Sequence, residues 1–93
     1  MATIVVRRLI IEGRVQGVGF RYALADEARE LGLCGWVRNC RDGKVEAIVA
    51  GSAQGVDAIV AWAHKGPPAA KVTAVNVEPA AGDFTGFDIA PTI

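Results

Sequence analysis

One stretch of the sequence combines glycines and an arginine in an order that could hold a phosphate. Between a run that predicts a strand and a run that predicts a helix, it reads Gly13-Arg14-Val15-Gln16-Gly17-Val18-Gly19-Phe20-Arg21. A glycine turn that enters a helix leaves backbone N–H groups without internal partners, and these attract an anion together with the helix dipole. Arg21 falls in the first helical turn, where its rigid fork of donors suits a pair of phosphate oxygens. The stretch predicts a phosphate-binding loop, although a tight glycine turn beside a solvated arginine would have the same sequence.

Two better-known phosphate-binding motifs do not match this stretch. A nucleotide P-loop ends in Gly-Lys-Ser/Thr, whereas here Gly19 is followed by Phe20 and Arg21. The dinucleotide-binding fingerprint needs a third glycine three residues after Gly19, and that position holds Tyr22. No acidic motif that could hold a metal follows downstream. The loop therefore predicts a site for one small phosphate, with no nucleotide, metal or other cofactor.

A second polar candidate, Asn39, lies just before a predicted hairpin turn. The turn is Arg41-Asp42-Gly43, in which Asp-Gly is a strong hairpin signal. If the strand before this turn lies in one sheet with the strand before the glycine stretch, its far end can lie near that glycine loop. Asn39 could then reach a ligand held by that loop. Asparagine also precedes hairpin turns for purely local reasons, so the residue alone leaves both interpretations open.

The other residue types that often carry chemistry have simpler explanations. His64, the single histidine, lies near the end of the second predicted helix, where a cation is favourable. Cys34 and Cys40 lie on one predicted strand. A strand of that length spans about 20 Å, whereas a disulfide needs its Cα atoms within about 7 Å, so we expect two unpaired, packed thiols. No cluster of histidines and cysteines has the spacing of a metal site.

The spacing of apolar residues predicts the elements that must position these candidates. The predicted strands run from Val5 to Glu12, from Cys34 to Asn39 or Cys40, from Lys44 to Ala50, from Val72 to Glu78 and from Phe84 to Ile89. The first predicted helix runs from Phe20 or Arg21 to Leu31, and the second begins after Ser52 and stops at Gly66-Pro67-Pro68. Two helices on one face of an antiparallel sheet, plus a short C-terminal strand, form an α+β, ferredoxin-like βαββαβ sandwich.

The composition predicts a single domain, residues 1–93, with its own core. Hydrophobic residues make up 52% of the sequence, and the formal net charge is zero. A balanced charge argues against nucleic acid or an anionic membrane as the main partner, and no apolar run is long enough to span a bilayer. Met1 to Arg8 lacks the order of a secretory signal, because its basic pair follows apolar residues. We expect a cytoplasmic protein, and a monomer because no heptad pattern is present.

Taken together, the two candidate stretches resemble the signatures of the acylphosphatase family. Residues 13–21 match the first family signature throughout. Gly35-Trp36-Val37-Arg38-Asn39, followed by Gly43-Lys44-Val45 and Gly51, matches the second in residue type and spacing. The resemblance covers nearly the whole chain, including its length and the order of its elements.

The resemblance implies hydrolysis of small-molecule acyl phosphates to a carboxylate and inorganic phosphate. It implies that Arg21 binds the phosphate together with the backbone N–H groups of six residues, Val15, Gln16, Gly17, Val18, Gly19 and Phe20. It also implies that Asn39 orients the attacking water and that the carboxylate of the substrate assists that water. These residue types suit the reaction, because phosphoryl transfer needs positioning and charge stabilisation more than covalent help.

Two other functions compete with this one. A non-catalytic domain that keeps the phosphate loop would have the same sequence pattern, and hydrolysis of benzoyl phosphate by the purified protein would distinguish the two. An RNA-binding module of the same fold needs aromatic residues on its central strands and a basic surface. The first and third predicted strands carry no aromatic residue and the charge is balanced, which argues against RNA.

Overall fold

The computed structural model describes residues 3–93, which form one five-stranded sheet and two helices. In chain order the elements are β1 Val5–Arg14, α1 Phe20–Glu30, β2 Cys34–Asn39, β3 Val45–Gly51, α2 Ala53–Lys65, β4 Lys71–Pro79 and β5 Phe87–Ile89. The strand order is β4-β1-β3-β2-β5, and every neighbouring pair is antiparallel except β2 and β5. The predicted ferredoxin-like α+β fold is confirmed, with the short C-terminal strand making the sheet mixed. Neither helix of the described chain is long and apolar enough to cross a membrane.

The core lies between the two helices and one face of the sheet. Alternation along β1 buries Leu9 and Ile11 completely. The spacing of Phe20, Leu24, Ala28 and Leu31 predicts an apolar stripe on α1, and the first three of these residues are buried. The spacing of Val56, Ile59, Val60 and Ala63 predicts a stripe on α2, where all but the half-buried Val60 are buried. Leu31, predicted as the end of the first stripe, is only half-buried because it is the C-cap of α1. Alternation along β4 predicts Val75 and Val77 on its apolar face, but Val77 is 44% exposed, since β4 lies at an edge of the sheet.

The first strand continues two residues beyond its predicted end at Glu12. Its pairing with β4 shifts register between Glu12 and Gly13 and then ends at Arg14 opposite Lys71. Gly13 has φ +121, and a Cβ on it would lie 2.1 Å from the carbonyl oxygen of Lys71. Only glycine therefore permits this close approach. This register shift extends β1 through Gly13 and Arg14, which the sequence analysis placed in the loop, and it sets where that loop begins.

The last strand is shorter than predicted. Phe84 to Gly86 lie outside it, because Gly86 adopts φ +70, which is incompatible with an extended strand. From Phe87 the chain runs parallel to β2 and stays beside it after the strand ends. Ile93 N–H donates to the carbonyl of Asn39 at 3.1 Å, and Arg41 N–H donates to the carbonyl of Ile93 at 2.7 Å. The C-terminal segment thus supports the backbone on both sides of Cys40.

An ion-pair cluster around one buried glutamate lies on the sheet face opposite the helices. Glu46 on β3 is only 5% exposed, and its carboxylate accepts from Arg8 Nε at 2.5 Å and from Arg38 Nε at 2.8 Å. Arg8 also pairs with Glu78, and the guanidinium of Arg38 lies 4.6 Å from the ring centroid of Trp36. Burial alone would raise the pKa of Glu46, but the hydrogen bonds from the two arginines outweigh it and hold that pKa below its ordinary value. We call these four charged residues the Glu46 cluster.

Candidate active site

The loop between β1 and α1 presents a row of free backbone donors. Gly17 has φ +72 and Gly19 has φ +77, left-handed values that glycine adopts without strain. Gly19 is the N-cap of α1 and offers no side chain to the helix end. Ala23 is the first helical residue whose N–H reaches a backbone carbonyl, that of Gly19 at 3.0 Å. Within residues 3–93, the N–H groups of residues 16–22 donate to no protein acceptor, so they remain available to an anion.

Arg21 and Asn39, eighteen positions apart in the chain, line one small cavity. The cavity has a volume of about 190 Å³, and its lining consists of Val15, Gln16, Gly17, Gly19, Phe20, Arg21, Tyr22 and Asn39. All the loop residues singled out from the sequence therefore line it except Val18. Arg21 is half-buried, and no carboxylate among the described residues pairs with it. A guanidinium without a counter-ion beside free N–H groups makes the cavity attractive to a phosphate-sized anion.

The side-chain oxygen of Asn39 is buried and lacks a hydrogen-bond partner. Asn39 ends β2, where it pairs with Val45 of β3, and its Oδ1 accepts no hydrogen bond within residues 3–93. Leaving a buried acceptor unsatisfied costs about 1–3 kcal/mol, so such atoms are usually satisfied by a ligand or a water. Asn39 lines the same cavity as the free donors of the loop. The cavity thus brings donors for an anion together with an amide side chain that can hydrogen-bond to a water.

The sequence analysis named Gln16 only for its backbone N–H group and did not predict the contacts of its side chain. Its Nε2 donates to the carbonyl of Cys40 at 2.7 Å and to the carbonyl of Lys44 at 2.9 Å. The loop between β1 and α1 is therefore tied directly to the turn between β2 and β3. The only hint in the sequence is a long polar residue between small ones in the loop, because the two carbonyls that it contacts are far away in the chain.

The remaining candidates from the sequence lie outside this cavity. His64 is exposed in the last turn of α2, as expected for a cation at a helix C-terminus. Cys34 and Cys40 are free thiols, and burial, followed by repulsion from Glu46 and Asp42, raises the pKa of Cys40. In the part of the chain that the structure describes, no three side chains of His, Cys, Asp or Glu come together in a group that could hold a metal.

A larger groove lies between the two helices but has the wrong charge for a phosphate. It has a volume of about 800 Å³, and Trp62 contributes to its apolar surface. One wall carries Asp26, Glu27 and Glu30, whereas Lys65 is the one cation that lines it. Three carboxylates repel an anionic substrate, so the larger volume of this groove does not make it the better candidate for the active site.

Known proteins that are similar to this chain agree on its family. The family model described as Acylphosphatase matches residues 7–89. A protein of Cupriavidus necator named acylphosphatase is 54% identical over 86 residues, which cover 92% of this chain and 94% of the relative. The structure of an acylphosphatase from Coxiella burnetii superposes with a TM-score of 0.91 at 34% identity, covering 94% of this chain and 93% of that one. The crystal structure of acylphosphatase from Bacillus subtilis gives a TM-score of 0.89 at 37% identity, covering 95% and 99%.

Proposed function

The chain belongs to the acylphosphatase family, and on this basis we propose which of its residues bind the phosphoryl group and which one holds water during the hydrolysis of acyl phosphates. Arg21 and the backbone N–H groups of residues 15–20 bind the phosphoryl group, and Asn39 holds the attacking water. The observation that carries the proposal is that Asn39, whose buried Oδ1 has no partner among residues 3–93, lines the same cavity as the loop with free N–H groups and Arg21.

The phosphoryl oxygens are bound by the loop and by Arg21. Gly17 and Gly19 line the cavity with N–H groups that have no protein acceptor, and a Cβ on either glycine would meet no protein atom within 4 Å. The space above these glycines is therefore open to a ligand. As phosphoryl transfer proceeds, negative charge spreads over the three equatorial oxygens, and fixed donors stabilise that charge without having to reorganise.

The attacking water is held by Asn39. Its Oδ1 accepts one hydrogen bond from the water, which directs a lone pair of the water oxygen toward phosphorus. Attack forms the new P–O bond while the bond from phosphorus to the carboxylate oxygen breaks, and the products are a carboxylate and inorganic phosphate. A carboxylate is a weak base and leaves without a general acid. The carboxyl group of the substrate takes up the proton of the water as the bond to phosphorus breaks and then releases that proton to the solvent as the carboxylate product forms, so no base on the protein is required.

We propose that residues 1–93 work as one monomeric domain in the cytoplasm. Most buried apolar side chains of the described residues form one cluster, which supports a single domain. The substrate is a small-molecule acyl phosphate, and the reaction uses no cofactor.

The experiment separates Arg21 from Asn39 by role, using benzoyl phosphate as substrate and inorganic phosphate as inhibitor. Arg21→Ala should lose both turnover and phosphate inhibition, because the anion then depends on backbone donors alone. Asn39→Ala should lose about 10²-fold or more in kcat, as removal of one preorganised polar partner typically does. Its phosphate inhibition constant should stay within a few-fold of the original, since inorganic phosphate binds without the water.

Two controls keep this comparison interpretable. Asn76→Ala removes an exposed asparagine on β4, outside the cavity, and should leave kcat unchanged. Circular dichroism and a melting curve establish that each variant is folded. If folded Asn39→Ala lost phosphate inhibition as severely as Arg21→Ala, Asn39 would belong to the phosphate site and its assignment to the water would be wrong.

A further inference from the structure

Beyond the two residues of the proposed mechanism, we infer that the side chain of Gln16 is a positioning residue that sets the place of Asn39 relative to the bound phosphate. The inference rests on the proposed role of Asn39. Gln16 contributes two kinds of group to this region, since its backbone belongs to the phosphate-binding loop and its side chain reaches the β2–β3 turn. We assign the positioning role to the side chain alone.

The two carbonyls that Gln16 contacts are the ends of the β2–β3 turn. Cys40 N–H donates to the carbonyl of Lys44 at 2.8 Å, and Gly43 N–H donates to the carbonyl of Cys40 at 3.0 Å. Nε2 of Gln16 adds a second donor to each of these carbonyls, at 2.7 Å for Cys40 and 2.9 Å for Lys44. One amide group therefore fixes the distance from the loop to both ends of the turn.

Asn39 immediately precedes this turn, and its side-chain oxygen has no protein partner to hold it. Its position must come from its backbone, which pairs with Val45 on one side and accepts from Ile93 N–H at 3.1 Å on the other. Neither contact connects Asn39 to the loop that binds phosphate. Gln16 supplies that connection through Cys40. In-line attack needs the water within a fraction of an ångström of its proper place, and a misplacement of about 1 Å can cost on the order of 10²-fold in rate.

The test is a double-mutant cycle with Gln16→Met, which keeps an unbranched side chain of similar length but has no N–H donor. Gln16→Met should lower kcat by about 10- to 100-fold, with the phosphate inhibition constant within a few-fold of the original, because the loop donors and Arg21 are retained. In an Asn39→Ala background the same substitution should change kcat by less than about two-fold, since the group that Gln16 positions is gone. Gln54→Met, at an exposed position of α2, is the matched control and should change neither constant.

Several outcomes would overturn the inference. An unchanged kcat in Gln16→Met would do so, as would an equal loss of kcat with and without Asn39. A phosphate inhibition constant that rises as much as kcat falls would show that Gln16 shapes the phosphate loop instead. If the activity of Asn39→Ala is too low for the cycle, the comparison of kcat with phosphate inhibition in Gln16→Met decides by itself. An error in the proposed function is separable, because it would appear as retained activity in the single Asn39→Ala variant.

Discussion

Replacing Glu46 by glutamine would remove one negative charge from the Glu46 cluster while keeping the shape of the side chain. The carboxylate now accepts from both Arg8 and Arg38. A glutamine side chain can accept from one of them through Oε1, but its NH₂ group would face the donors of the other. The substitution therefore replaces two charge-assisted hydrogen bonds by one hydrogen bond to a neutral acceptor and one contact between two donors.

The size of the effect follows from the exposure of the three partners. Removing one member of a fully buried ion pair costs about 3–5 kcal/mol, because the remaining charge is left without a partner. The Glu46 side chain is only 7% exposed, but those of Arg8 and Arg38 are 41% and 26% exposed, so water can partly solvate the arginines left behind. We therefore expect a smaller loss, about 1–3 kcal/mol in the free energy of unfolding near neutral pH. For a domain of this size, each kcal/mol lowers the melting temperature by about 4–8 °C.

The pH dependence distinguishes charge from packing. The folded state holds the pKa of Glu46 below its ordinary value, mainly through the arginine hydrogen bonds that outweigh the opposing effect of burial. A carboxyl group with a lowered pKa stabilises the fold fully above its unfolded-state pKa, about 4.3 for glutamate, and loses that contribution as pH falls through the folded-state pKa. The difference in stability between the original protein and Glu46→Gln should thus be constant from neutral pH to about pH 5 and shrink at lower pH.

Urea unfolding followed by circular dichroism at several pH values measures this difference. Glu30→Gln, an exposed glutamate on α1 with no ion pair among the described residues, is the matched control and should change stability by less than about 0.5 kcal/mol. The reasoning is refuted if Glu46→Gln is as stable as the original protein near neutral pH. It is refuted equally if the difference in stability persists unchanged at about pH 3.

Two predictions concern the reaction itself. Activity should survive exhaustive chelation, because the free N–H groups of the loop and Arg21 already supply positive potential; recovery of lost activity on adding Mg²⁺ or Zn²⁺ would contradict this. The kcat profile should show no enzyme-derived inflection between about pH 5 and 8, since a guanidinium, an amide and backbone N–H groups do not titrate there. Burial raises the pKa of the Cys40 thiol, which keeps it protonated in this range. An inflection of kcat at about pH 6.5 that disappeared in His64→Ala would show that the active site includes this histidine.

The elements that depend on local pattern could be predicted from the sequence. The stripe of Phe20, Leu24 and Ala28 predicted α1, and Ser52 predicted the start of α2, where its hydroxyl accepts from Gly55 N–H at 3.0 Å. Gly32 ends α1 with φ +70, as a C′ glycine should. These features were readable because helix stripes and caps are decided by residues within one or two turns of each other.

The features that depend on distant partners could not be predicted in the same way. Alternation along its strand places Glu46 on the face opposite Val45, Ala47 and Val49, but it gives no sign of the partner Arg8, which lies on the neighbouring strand β1. No local sequence pattern places β5 beside β2 either, because a last strand joins the sheet at whichever edge strand still has unpaired backbone groups. In the site, Arg21 and the loop glycines were visible as a motif, whereas the side-chain contacts of Gln16 became visible only when the turn lay next to the loop.

The pairing of β1 with β4 has a consequence for how the protein folds. This pairing joins residues near opposite ends of the chain, from Arg7 opposite Pro79 to Arg14 opposite Lys71, and the phosphate-binding loop leaves β1 directly after Arg14. Closing such long chain loops costs entropy before any contact compensates for it, so pairings between distant strands form slowly. We therefore expect the loop to take its final direction only after β4 has paired with β1. During refolding, enzymatic activity should appear no earlier than this pairing.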